Sequence, residues 1–205
     1  LADVISRIHK MKGKDVYFLT GTDEHGQKVQ EAAKKRNLDP KEHVDEYVLR
    51  FKDVWKKLNI NYDDFIRTTE ARHTNRVCDI LSLLKKQGDI YLDEYEGLYS
   101  VSEERFITEK EAEEGSFREI KKIKEKNYFF KMSRYQKKLI NHIEKHDDFI
   151  LPISRRNEIL SFLKNELTDL CISRPKSRLA WGIELPFDKE YVTYVWFDAL
   201  LNYIS

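Results

Sequence analysis

The stretch Asp15-Val16-Tyr17-Phe18-Leu19-Thr20-Gly21-Thr22-Asp23-Glu24-His25-Gly26 decides how this chain is read. Val16 to Leu19 form an uninterrupted apolar run within an expected strand from Asp15 to Thr20, the pattern of a strand covered on both faces in a parallel sheet. Gly21 and Gly26 then bound a tight turn, where a missing Cβ lets the backbone approach a ligand closely. A helix is expected from Gln27 to Arg36. In an open α/β sheet, ligands lie beyond the carboxyl ends of the strands, and Asp23, Glu24 and His25 occupy that place. A carboxylate there offers an ammonium group a charge-assisted contact of roughly 1.5–3 kcal/mol. An imidazole offers hydrogen bonds to a phosphate or a ribose. On the residues alone, Asp23 or Glu24 reads equally well as the cap of the following helix.

Working outward, Leu1 to Lys10 reads as the later part of a helix closed at Gly13. Pro40 starts a helix in which Val44, Tyr47, Val48, Phe51, Val54, Trp55 and Leu58 recur at helical spacing. Phe65 to Arg67 reads as a second short strand. A helix from His73 to Gln87 buries Val77, Ile80, Leu81 and Leu84, and stops at Gly88. Strands alternating with helices predict an α/β sheet. The pattern changes near Asp89. Ile90 to Val101 and Ile120 to Phe130 read as two strands of a small antiparallel insertion, whose Arg118, Lys121, Lys122, Lys124 and Lys126 read as a solvated face. Helical spacing resumes over Tyr135 to Ile143 and over Ile159 to Leu167. Tyr191 to Phe197 reads as a further buried strand, and Asp198 to Ser205 then begins a helix or turn; Trp196 to Tyr203, at the end of that strand, is a second candidate ligand site.

The 205 residues carry 37 basic and 36 acidic side chains, a net charge of +1. That excludes a global cationic field for nucleic acid, so any RNA contact must be local. No run reaches the ~18 apolar residues of a membrane span, and the first residues lack the order of a secretory signal. Cys78 and Cys171 read as free thiols in a reducing compartment.

The segments DVYFLTGTDEHGQKVQEAA, YDDFIRTT, GDIYLDEYEGLYSVSEE, NYFF, SRRNE, ISR, WGIELP and YVWFDALLNYI stand in an order and spacing that resemble the methionyl-tRNA synthetases of the class I synthetase family. The resemblance implies a Rossmann-type catalytic core over residues 1–89 and 150–205, interrupted by an insertion at 90–149 that contacts the tRNA acceptor end. It implies that methionine and ATP, with Mg2+, form methionyl-adenylate, and that tRNA(Met) then takes the methionyl group. By position, Asp23 matches the aspartate holding the methionine ammonium, while Trp196, Ala199 and Tyr203 match residues around the side chain. A thioether against aromatic edges gains about 0.3–1.5 kcal/mol per contact. Leu170 falls where some members place a tryptophan on the same pocket. Arg174, in Ile172-Ser173-Arg174, matches an arginine acting on the ATP phosphates, and His25 and Glu184 fall on the nucleotide side. Asp198 reads as holding the strand end.

The sequence also departs from the family. The His-Ile-Gly-His and Lys-Met-Ser-Lys-Ser elements are expected outside Leu1 and Ser205, so this piece by itself is expected not to activate methionine. Lys131-Met132-Ser133-Arg134 imitates the second element but precedes YVWFDA, and Ser133 reads better as a helix N-cap. Ser100 and Ser102 stand where most members begin a cysteine knuckle, and serine does not replace thiolate on zinc. A zinc-free member is therefore expected. His142 and His146, in HIEKH rather than HExxH, read as surface histidines. The family implies a cytoplasmic or organellar ligase with no membrane partner. Two rivals are a synthetase-like module that binds RNA or protein without catalysis, and a Rossmann oxidoreductase. The latter lacks a G-x-G-x-x-G after the first strand.

Overall fold

The computed structural model describes residues 1–103, 105–107, 109–115, 117, 119–165 and 167–204. Arg118 of the expected basic face, Glu104 and Ser205 lie outside the described residues. Helix α1 (Ala2–Met11) ends before Gly13, whose φ of +72° closes it. Strand β1 (Leu19–Thr22) is shorter and later than expected, and Tyr17 is exposed. It pairs in parallel with β2 (Asp64–Arg67), from Leu19 beside Asp64 to Thr22 beside Arg67. With one neighbouring strand among the described residues, β1 is half-buried along its length instead of covered on both faces. Gly21 makes this pairing possible, because a Cβ there would stand 2.0 Å from the main-chain oxygen of Ile66.

The crossover between these strands is α2 (Gln27–Lys35) and α3 (Pro40–Lys57). Asp39 caps α3 by accepting from the main-chain N–H of Lys41, with Pro40 at the first helical position. Val44 and Val48 are the buried part of the expected stripe, and Phe51, Val54 and Leu58 stay exposed. Helix α4 (Ala71–Lys86) buries His73, Val77 and Leu81 on one face.

The antiparallel insertion is built on a long ladder of β3 (Ile90–Ser100) against β5 (Ile120–Phe130). Between them lie two elements the periodicity did not announce, β4 (Arg105–Ile107) and α5 (Glu109–Glu114). Lys122 pairs with Glu96 and Lys124 with Glu94 across the ladder, which neutralises the expected basic face locally. A short 3-10 turn at Met132–Tyr135 leads into α6 (Gln136–Lys145), followed by α7 (Ile153–Leu163). Ser133 is not the N-cap of α6, because its hydroxyl donates to Asp169 at 2.7 Å.

Strand β6 (Leu170–Cys171) joins the edge of β5 and completes the sheet order β4-β3-β5-β6. Strands β7 (Ser173–Pro175), β8 (Glu184–Leu185) and β9 (Asp188–Thr193) form a three-stranded antiparallel sheet. The expected strand over Tyr191 to Phe197 therefore stops early and runs antiparallel. Helix α8 (Val195–Leu200) takes over, followed by a 3-10 turn at Leu201–Ile204. One core joins these parts: Val77, Leu81, Ile90, Tyr128, Ile172, Ile183 and Leu185 pack together. Burying side chains of this size contributes about 1.5–3 kcal/mol each.

Candidate active site

The turn after β1 is held from below by Glu24, which is only 2 % exposed. Its carboxylate accepts from Arg67 Nε at 2.7 Å, Arg67 Nη2 at 3.0 Å, and the hydroxyls of Thr22 and Thr69, each at 2.5 Å. The main-chain N–H of Glu24 donates to Thr68 Oγ1 at 3.0 Å. A buried carboxylate must be satisfied in this way, since desolvation otherwise outweighs its attractions. Arg67 also donates to Asp45 at 2.6 Å, and these two carboxylates, Glu24 first, raise its pKa above the usual guanidinium value. Glu24 thus supports the turn, and Asp23 beside it stays exposed. Asp23 lines a cleft of about 150 Å³ with Val29, Val44, Tyr47, Val48 and Phe51, apart from Trp196, Ala199 and Tyr203.

The same turn is clamped from above. The Trp181 indole N–H donates to the Glu24 carbonyl at 2.6 Å, and the Gly26 N–H donates to the Trp181 carbonyl at 3.4 Å. Gln30 accepts the main-chain N–H groups of Ala180 and Trp181 at 2.9 and 3.0 Å. Gly26 has a φ of +103°, which a side chain would strain.

His25 is buried against Trp181, ring centroids 5.3 Å apart, and its Nδ1 lies 2.7 Å from Asp198 Oδ2. The other oxygen of Asp198 lies 2.6 Å from His73 Nε2. A carboxylate oxygen accepts, so the ring nitrogen facing it carries the proton in each histidine. Asp198 therefore ties the turn after β1, helix α4 and helix α8 together. It lies on α8, where the sequence reading had it holding a strand end.

Trp196 and Ala199 lie on α8, with Trp196 54 % exposed, and Tyr203 on the following 3-10 turn is 85 % exposed. The helix or turn expected from Asp198 begins earlier, at Val195, so Trp196 is presented by a helix and not by a strand. Leu170 is half-buried in β6 and packs against the main core. Glu184 is exposed on β8, ion-paired with Lys176 and with Lys189 at 3.5 Å. The Lys176 ammonium holds its carboxyl below the usual range.

Arg174 departs most from expectation. It is 3 % exposed, and its guanidinium lies over the rings of Tyr194 at 4.5 Å and Tyr99 at 5.5 Å. Nη1 donates to the Ser173 carbonyl at 2.7 Å. The guanidinium is enclosed by aromatic faces at the insertion root. Arg178 lies over the same Tyr99 ring, and burial and then the charge of Arg174 lower its pKa.

At the positions of the absent knuckle, the Ser100 and Ser102 hydroxyls bond each other at 3.0 Å. Neither supplies a zinc ligand. Among the described residues no three His, Cys, Asp or Glu side chains converge as a metal ion requires. The His142 and His146 rings stack 4.2 Å apart.

Sequence reasoning did not single out Arg67, His73, Trp181 or Gln30. Arg67 and Trp181 lie inside the quoted segments YDDFIRTT and WGIELP. His73 left one signal: it occupies the apolar stripe of α4, four residues before Val77 and eight before Leu81.

The chain matches the family described as tRNA synthetases class I (M) over residues 1–116 and 115–205. It is 51% identical, along its whole length, to the methionine–tRNA ligase of Clostridium perfringens and 50% identical to that of Deinococcus radiodurans. It spans 32% of each, about a third of the length of these curated relatives. In three dimensions it is similar to Mycobacterium tuberculosis methionyl-tRNA synthetase bound by methionyl-adenylate. That match has a TM-score of 0.91 and 39% identity, over 99% of this chain and 41% of the other. The free form of that protein matches with a TM-score of 0.76 at 37% identity, over 99% of this chain and 40% of the other.

Proposed function

Because the chain belongs to the class I (M) tRNA synthetases, we propose that it is the methionine-binding part of an ATP-dependent methionine–tRNA ligase. The observation that carries this reading is the Asp198–His25 bond, which joins the turn bearing Asp23 to the helix bearing Trp196 and Ala199. It supports an ammonium-binding carboxylate and an aromatic wall carried on one frame, although Asp23 lines a cleft of its own in the described state. The closer likeness to an adenylate-bound synthetase than to its free form supports it further.

In this reading Asp23 takes the methionine ammonium, and Trp196, Ala199 and Tyr203 line the thioether side. The methionine carboxylate attacks the α-phosphate of ATP, supplied with Mg2+, and pyrophosphate leaves. A terminal ribose hydroxyl of tRNA(Met) then attacks the methionyl carbonyl and releases AMP. His25 and Glu184 face the nucleotide. The protein contributes mostly by positioning groups and stabilising charge. Leu170 acts from behind the pocket as a packing residue. Arg174 anchors the insertion to the core in the described state, and its expected phosphate role requires the guanidinium to leave the Tyr99–Tyr194 cage.

The division into a core at 1–89 and 150–205 and an insertion at 90–149 follows from the same reading. The long β3–β5 ladder supports the insertion, whose sheet β6 of the return segment extends at its edge. We assign the ligase to the cytoplasm and its insertion to the zinc-free type. Among the described residues no helix is long and apolar enough to cross a membrane.

The test is methionine-dependent ATP–pyrophosphate exchange by the full-length protein, with Asp23→Asn as the diagnostic variant. Loss of a charge-assisted contact should reduce kcat/KM for methionine by roughly 10- to 100-fold. Exchange that ignores methionine, or that survives Asp23→Asn unchanged, would overturn the proposal.

A further inference from the structure

Asp198 has no exposed surface, and its two oxygens are taken by histidines from distant parts of the chain. His25 arrives from the turn after β1. His73 arrives from the first turn of α4 and is itself fully buried, so no substrate touches it. His73 stands on the face of α4 that otherwise buries Val77 and Leu81. An imidazole in that stripe gives up apolar packing, which only a specific polar partner offsets. Its partner is the carboxylate that also holds His25.

We propose that His73 is a positioning residue for the methionine site, acting through Asp198; this rests on the function proposed above. By occupying Oδ1 it keeps Oδ2 on His25 Nδ1. That fixes His25 in the tautomer with a bare Nε2, an acceptor on the side away from Asp198. It also fixes the seat of α8, and with it Trp196 and Ala199. Helix α4 supplies the rigid support, since Val77 and Leu81 lock it into the main core. Supporting residues of this kind set the geometry of groups that do contact substrate.

The test uses the full-length protein with His73→Leu, which removes the donor at similar volume, and His73→Gln, which keeps an N–H. His73→Leu should raise KM for methionine about tenfold or more, the scale of one lost charge-assisted hydrogen bond. KM for ATP should rise as well, through His25 on the nucleotide side, and His73→Gln should recover most of both losses. Nitrogen NMR of [15N]histidine-labelled protein should show His25 protonated at Nδ1 alone in the wild type, and a mixture of tautomers in His73→Leu.

If His73→Leu does not fold, Asp198→Asn decides. Its amide offers one acceptor and one donor, so one of the two histidines must change tautomer. A folded His73→Leu with unchanged KM and unchanged His25 tautomer overturns the proposal. So does a rise in KM that glutamine does not recover, or an Asp198→Asn variant with both tautomers intact. If the wild type does not activate methionine, the functional reading fails by itself, and the tautomer measurement still decides the role of His73.

Discussion

Arg67, at the end of β2, grips Glu24, in the turn after β1, through two parallel hydrogen bonds of 2.7 and 3.0 Å. The end of one strand therefore carries the loop that begins at the end of its neighbour. Removing the guanidinium while keeping the apolar stem, as in Arg67→Met, leaves a buried carboxylate short of its charged partner. Breaking such a pair costs about 3–5 kcal/mol when both groups are buried. Arg67 keeps some solvent access, so a loss of about 2–4 kcal/mol is expected in urea unfolding. Glu24→Gln, which retains an acceptor, should cost less.

Trp181 acts on the same turn from the other side. Trp181→Phe keeps an aromatic ring against His25 but removes the N–H that holds the Glu24 carbonyl. The stability cost should be about 1 kcal/mol, the net worth of one neutral hydrogen bond. In the full-length protein, KM for methionine should rise while the variant stays folded by circular dichroism.

Gly21 marks the closest approach of β1 and β2. A Cβ there would meet backbone, the Ile66 oxygen at 2.0 Å, with no flexible side-chain end to yield. Gly21→Ala must therefore push the strands apart, and overpacking typically costs about 1–3 kcal/mol. The expected result is a lower thermal midpoint with weaker methionine binding. Gly88→Ala, where a Cβ would meet open space, costs only the strain of a φ of +74°.

Asp64 and Arg72 give a pH-dependent term. Hydrogen bonds from Arg72 are the main cause lowering the Asp64 carboxyl from 3.8 to about 2. The unfolded chain then binds more protons than the folded one between these values, so stability rises with pH through that window. The contribution is complete above pH 4 and is lost as the pH falls towards 2. Arg72 is half-exposed, so solvent screening holds it to at most about 1 kcal/mol. Thermal midpoints measured from pH 5 to pH 2 should fall less steeply in Asp64→Asn than in the wild type.

What the sequence determined by itself is local. Helical spacing located α3 and α4, Gly13 and Gly88 closed their helices at positive φ, and alternating aromatic and charged residues marked β3 and β5. The order of its short motifs gave the family, because residues that bind a common ligand must keep common chemistry. Where the chain folds back on itself, local pattern was silent or misleading. Tyr191 to Phe197 reads as a strand by composition, yet the helix that buries Asp198 against two histidines already begins at Val195. Arg174 matches a phosphate-handling arginine by position, and only the fold shows its guanidinium over Tyr99 of the insertion and Tyr194. The roles of Glu24, Arg67, His73 and Trp181 arise from contacts across 43 to 157 residues of chain. No window of sequence contains both partners of such a contact, so only the tertiary structure decides which buried charge meets which donor.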